Sequence, residues 1–162
     1  MKKLYYILLI SCLTISAITC KKDGADIPIG TIKVDINGNS SSFSVQAKAT
    51  RINVTGGYGI QIEGYLKSSS TTEMLFSIAS TNPITNITYT ENSAGNPLVQ
   101  MTHCVEVLVP CVFRTAAHGN TSNPVSVTIS EITGSRVKGT FKGELSGHST
   151  EVLTNVVFYV SL

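Results

Sequence analysis

The stretch Val125-Ser126-Val127-Thr128-Ile129-Ser130-Glu131-Ile132-Thr133-Gly134-Ser135-Arg136-Val137-Lys138-Gly139-Thr140-Phe141-Lys142-Gly143-Glu144-Leu145 decides the fold. Val125, Val127 and Ile129 alternate with Ser126, Thr128 and Ser130. After the turn signal Thr133-Gly134-Ser135, Val137, Gly139, Phe141, Gly143 and Leu145 alternate with Lys138, Thr140, Lys142 and Glu144. A strand sends successive side chains to opposite faces, so each run has one apolar and one polar face. Two such runs joined by a short turn make an antiparallel pair.

The same grammar recurs upstream, at the spacing of about 8 to 12 residues typical of sandwiches and barrels. Ile32, Val34 and Ile36 alternate ahead of Asn37-Gly38-Asn39, a hairpin turn whose glycine tolerates positive φ. Phe43, Val45 and Ala47 share a face. Arg51 to Thr55 follows, and Gly56-Gly57 turns the chain into Ile60, Ile62 and Leu66, with Gly64 as the small member of that face. Met74 to Ile78 is more continuously apolar, which predicts a central strand covered on both sides. Asn82-Pro83 breaks the chain, Ile84 to Thr90 reads as a short strand and Asn92 to Pro97 as a loop. Leu98 to Thr115 yields no clear period, and Val152 to Val160 forms the last strand. With roughly nine strands and no helical period, the expectation is an all-β fold, a single antiparallel β-sandwich, with a partly open β-barrel as the alternative. Its expected core holds Val125, Val127, Ile129, Val137, Phe141 and Phe158.

The first twenty residues read as an address. Lys2 and Lys3 precede an apolar run from Leu4 to Ile18, closed by Ala17-Ile18-Thr19-Cys20. At about fifteen residues the run is shorter than the roughly eighteen that span a bilayer, so it reads as a cleaved signal. A cysteine at its end is where diacylglycerol attaches, and two or three acyl chains then anchor the domain stably. Leu9-Ile10-Ser11-Cys12 offers a second cleavage box, but cutting there leaves an apolar core of only about eight residues, which favours Cys20. The expected organisation is therefore a lipoprotein signal peptide over residues 1–19, the lipidated Cys20 and a flexible tether over 20–30, and a β-sandwich over 31–162.

Of the 12 lysines and arginines, Lys2 and Lys3 leave with the signal, so the remainder balances the 10 acids. A neutral domain has no field that would steer it to nucleic acid. Lys21 and Lys22 sit where they would meet lipid headgroups, or simply solvate the tether.

The C-terminal third, with Val125 to Gly134, Arg136-Val137-Lys138-Gly139-Thr140-Phe141 and Leu153-Thr154-Asn155-Val156, resembles a family of small Bacteroidota lipoproteins to which no activity is assigned. Cys20-Lys21-Lys22-Asp23 and the later Asn37-Gly38 fit the opening of the same family, while the middle of the chain departs from it. The resemblance implies a compact antiparallel sandwich exported to the envelope, outer-membrane anchored, and it carries over no catalytic residue. In that phylum a lysine followed by acids after the lipidated cysteine directs export to the cell surface. Lys22-Asp23 matches its start, and Gly24 and Ala25 interrupt it.

Few residues suit chemistry. His103, Cys104, Cys111 and His118 would complete a tetrahedral zinc set, yet their spacings match no usual zinc template, and an oxidising compartment favours disulfide. A Cys104–Cys111 bridge is expected instead. A continuous strand would hold the two Cα atoms about 23 Å apart against the ~7 Å a bridge allows, so the chain between them must turn. A tight hairpin centred on Val107-Leu108 would put the wrong residues in that turn, although Pro110 permits one. No Gly-x-Ser-x-Gly elbow occurs. The histidines His103, His118 and His148 read as surface residues, and Glu63, Glu73, Glu106, Glu131, Glu144 and Glu151 stand singly, although distant strands can pair acids as glycosidases require.

The functional expectation is a non-catalytic envelope lipoprotein that binds a glycan, a lipid or an envelope protein through its loops, without cofactor, metal or nucleic acid; an envelope hydrolase acting on glycan or ester substrates is the alternative. Loops at Gly56 to Gly59, Asn92 to Pro97 and His118 to Asn123 are the candidates. Tyr58, flanked by Gly57 and Gly59, is the leading binding residue.

Overall fold

The computed structural model describes residues 27–66, 73–90, 98–105, 112–116, 123–146 and 150–162. Among these described residues eleven strands follow one another: β1 (Thr31–Ile36), β2 (Asn39–Phe43), β3 (Val45–Val54), β4 (Gly57–Tyr65), β5 (Glu73–Ser80), β6 (Thr88–Thr90), β7 (Leu98–Val105), β8 (Val112–Ala116), β9 (Ser126–Ile132), β10 (Arg136–Ser146) and β11 (Glu151–Ser161). Among the described residues there is no helix, and so none long and apolar enough to cross a membrane. The expected all-β class is what the chain adopts.

Hydrogen bonding arranges the strands in two antiparallel layers, β2-β1-β11-β10-β9-β6 and β3-β4-β5-β7-β8. Only short joints connect them. One is the parallel pair Ser161↔Lys48 between β11 and β3, and the other is Leu145↔Ala116 with Ser146↔Thr115 between β10 and β8. The sheet therefore folds over into a sandwich and does not close into a barrel. Side chains bridge the layers: the Phe76 ring of β5 lies 4.8 Å from Phe141 on β10 and 5.0 Å from Phe158 on β11.

The period-two reading of the C-terminal third matches the packing. Val125, Val127, Val137 and Phe158 are fully buried, with Ile129 at 1% exposure and Phe141 at 3%. Gly139 stands opposite Phe158 in the β10–β11 register, and a Cβ there would lie 2.6 Å from the Phe158 ring, so glycine is what lets the ring lie across the strand. Gly64 serves the layer contact: its Cβ would meet Ile32 Cδ1 at 3.1 Å and Ala47 Cβ at 3.2 Å.

Turns follow the chemistry of their residues. Asn37 (φ 51°) and Gly38 (φ 80°) form the two-residue β1–β2 hairpin, since Ile36 pairs with Asn39. Between β3 and β4 the turn is Thr55-Gly56, one residue earlier than expected, because Val54 pairs with Gly57. Thr133 closes the β9–β10 loop by bonding Arg136 O through its amide at 2.9 Å and accepting the Ser135 and Arg136 amides on its hydroxyl.

Three further readings need correction. Met74, Phe76 and Ile78 are buried, but Leu75 and Ser77 are only half-buried, so β5 is covered on one face rather than two. The short strand read over Ile84 to Thr90 is confined to Thr88–Thr90. Ile27 is 5% exposed and the Gly30 amide bonds Tyr159 O at 2.7 Å, so packing reaches into the segment read as flexible tether. Cys20, the signal and the rest of the tether lie outside the described residues, as does the loop Asn92 to Pro97.

Candidate functional site

On the outer face of β9, β10 and β11, alternation turns Thr128, Ser130, Lys138, Thr140 and Lys142 away from the core. The register aligns part of this polar set into a row. Thr88, Thr128 and Thr140 are successive partners across β6, β9 and β10, and the Thr88 and Thr128 hydroxyls bond each other at 2.8 Å.

A bulge shapes this face. Between Lys33 and Asp35 on β1, and between Phe141 and Gly143 on β10, β11 advances by one residue more than its partners. Asn155 occupies the bulge with φ 50°, and its side-chain amide donates to Asp35 Oδ2 at 2.8 Å. Bulges bend a strand and sharpen its twist. The result here is a groove of about 610 Å³ lined by Thr128, Ser130, Lys138, Thr140, Lys142 and Asn155, with Val157 and backbone of the strands as its floor.

Charge around the groove is ordered. Lys138 Nζ stands 5.6 Å from the Tyr159 ring centre, and the Arg136 guanidinium stands 5.9 Å from the same centre. Arg136 also bonds Glu131, and that carboxylate raises its already high pKa. Asp35 is engaged by Asn155.

The Tyr58 site differs from expectation. Gly57, Tyr58 and Gly59 are the first residues of β4, so only Gly56 belongs to a loop. The Tyr58 side chain is 51% exposed and borders a smaller groove of about 360 Å³ with Arg51, Ile52, Pro83, Ile84 and Ile132. The two glycines have packing reasons: a Cβ at Gly57 would strike the Ser80 carbonyl, and one at Gly59 would meet Ile52 Cγ1 at 2.5 Å.

Two constellations escaped the sequence reading. His103 is buried, not superficial. At 5% exposure it points between the layers from β7, its Nδ1 is 2.7 Å from Glu151 Oε2 on β11, and its ring meets Phe43 edge-on at 5.9 Å. On the outer face of the other layer the sheet pairs two acids that the sequence keeps apart. Tyr65 faces Glu73 across β4 and β5, and Glu63 lies diagonally beside them. Burial and the Glu63 charge hold the Glu73 carboxyl above its ordinary value, while the Glu73 charge, burial and Glu63 raise the Tyr65 phenol. Lys48 bridges to Glu63 at 3.1 Å.

Cys104 is disulfide-bonded; Cys12, Cys20 and Cys111 lie outside the described residues. β7 and β8 pair antiparallel with Val105 opposite Val112, so the chain does reverse, as a Cys104–Cys111 bridge requires. His103 and Cys104, adjacent on β7, point to opposite faces, so they do not converge as zinc ligands. His118, His148, Glu106 and the loop at 118–122 lie outside the described residues. Comparisons with protein families, with curated proteins and with solved structures return no match.

Proposed function

We propose that the chain is a non-catalytic lipoprotein of the cell envelope, anchored through acylated Cys20, that binds a ligand on the outer face of β9–β10–β11. One observation carries the reading: the groove gathers hydroxyls, an amide and ammonium groups on the middle strands of a rigid layer, where side chains are positioned more firmly than on loops. Those groups donate and accept hydrogen bonds but include no nucleophile beside a base, which suits recognition rather than turnover. The signal-like start of the sequence and its resemblance to small envelope lipoproteins supply the location. Tyr58 and its groove remain a second, smaller contact surface.

The test is retention of the full chain by polysaccharides in affinity electrophoresis, compared with Thr140→Trp, which fills the groove from an exposed position and leaves the core untouched. Loss of retention in Thr140→Trp with unchanged circular dichroism supports the reading. Equal retention removes the groove as the site.

The Glu63–Glu73 pair favours the hydrolase alternative, because a carboxyl whose pKa burial raises beside a second carboxylate is the kind of pair that acid-assisted glycoside cleavage uses. Hydrolysis of a glycosidic or ester panel by the purified chain, abolished in Glu73→Gln, would replace the binding module with an enzyme.

A further inference from the structure

We infer that the ligand of this groove is an anionic polysaccharide, one bearing carboxylate or sulfate groups, and that Lys138 and Lys142 read its charge. The inference rests on the binding-module reading and adds the ligand class. Lys138 and Lys142 are the ionisable side chains of the lining, and both are cationic. Lys33, exposed on β1 opposite Val157, adds a third positive charge at the rim.

Three acids flank the groove outside its lining. Asp35 accepts from Asn155, Glu131 is bonded to Arg136 and stands opposite Lys138 in the β9–β10 register, and Glu144, farther along β10, is half-buried. Against these three acids stand four cations, Lys33, Arg136, Lys138 and Lys142, so among the described residues the face carries a small positive excess. An anion placed on the lysines thus meets a net attraction, which physiological salt screens beyond ~8 Å.

The rest of the lining argues for sugar over protein. Thr128, Ser130, Thr140 and Asn155 present short donors and acceptors at strand spacing, suited to a polyhydroxylated chain lying across the strands. Interface hot spots of protein partners need large apolar anchors, and Val157 is the groove's half-buried apolar side chain. Tyr159, outside the lining, lies under the Lys138 ammonium.

The experiment passes the full chain in nonionic detergent through gels containing polygalacturonate, dextran sulfate or neutral dextran, with flotation on phosphatidylglycerol and phosphatidylcholine vesicles as a separate arm. Retardation by either charged polymer and not by dextran is expected. Lys138→Ala and Lys142→Ala should each weaken it on the order of tenfold, as loss of a charge-assisted hydrogen bond does. Salt at about 1 M should abolish most of it. Lys48→Ala, on the other layer, should change nothing. Equal retardation by neutral dextran overturns the charge assignment and leaves the module standing. Charged-polymer binding that neither lysine variant weakens overturns the site. A preference for phosphatidylglycerol vesicles without polymer binding overturns the polysaccharide in favour of a lipid surface. A folded chain that binds in no arm overturns both readings.

Discussion

Replacing Glu151 by leucine should destabilise the domain by about 3 to 5 kcal/mol. Both side chains of the His103–Glu151 pair are under 10% exposed, at 7% and 8%, and they meet at 2.7 Å, so water replaces neither when the other is removed. A hydrogen bond to a charged group contributes about 1.5 to 3 kcal/mol, and an imidazole stranded between the layers costs roughly 1 to 3 kcal/mol more in desolvation. The sum agrees with the ~3 to 5 kcal/mol found when one partner of a buried pair is lost. Removing both at once is different: His103→Leu/Glu151→Leu fills the same space with apolar atoms, leaves no imidazole behind and should lie within about 1 kcal/mol of the parent. Urea unfolding of the four species under non-reducing conditions gives the coupling. A double variant as unstable as the sum of the singles would mean that the pair does not act as a unit, and the reasoning would fail.

Phe141→Ala should cost about 3 to 5 kcal/mol, since the ring is 3% exposed and packs on Phe76; a loss below about 1 kcal/mol by urea midpoint would remove it from the core. Folding raises the Glu73 carboxyl through burial and the Glu63 charge, so its contribution to stability is complete below the ordinary carboxyl value and is lost as pH rises through the raised one. Glu73→Gln should therefore gain on the parent as pH rises above the ordinary carboxyl value, and an advantage that does not grow with pH contradicts the assignment. Intact-mass measurement after alkylation without reductant should find Cys104 and Cys111 both unmodified, and two adducts there would exclude the bridge. Cys20→Ser should abolish labelling by a clickable fatty acid, whereas label that persists in Cys20→Ser and disappears in Cys12→Ser would move the anchor to Cys12.

The strands of the C-terminal third were legible because each exposes one face, so Val137, Gly139, Phe141, Gly143 and Leu145 repeat at two against Lys138, Thr140, Lys142 and Glu144. The stretch from Leu98 to Thr115 was not, for a physical reason. On β7 the inward series runs Val99, Met101, His103, and a histidine breaks the apolar pattern while the buried Cys104 occupies the other face. What makes His103 acceptable inside is Glu151, 48 residues later, and no local period reports a partner at that distance. The groove was half legible. Its lysines and threonines were read correctly as an outward face, but the hollow depends on the bulge at Asn155 and its bond to Asp35, 120 residues away. Glu63 and Glu73 likewise become neighbours only through the β4–β5 register.

β11 pairs with β1 on one side and β10 on the other, so the central strand of its layer is the last of the described strands to be made. Until it arrives, β1–β2 and β9–β10 are separate hairpins with an exposed edge each, and closing them requires contacts spanning most of the chain. Assembly of this layer must wait for β11. A chain threaded across a membrane from its N-terminus would remain unfolded, and so transportable, until that strand emerged. Truncation before β11 would leave both edges open to pairing with other molecules, turning a shortened product into an aggregate rather than a smaller domain.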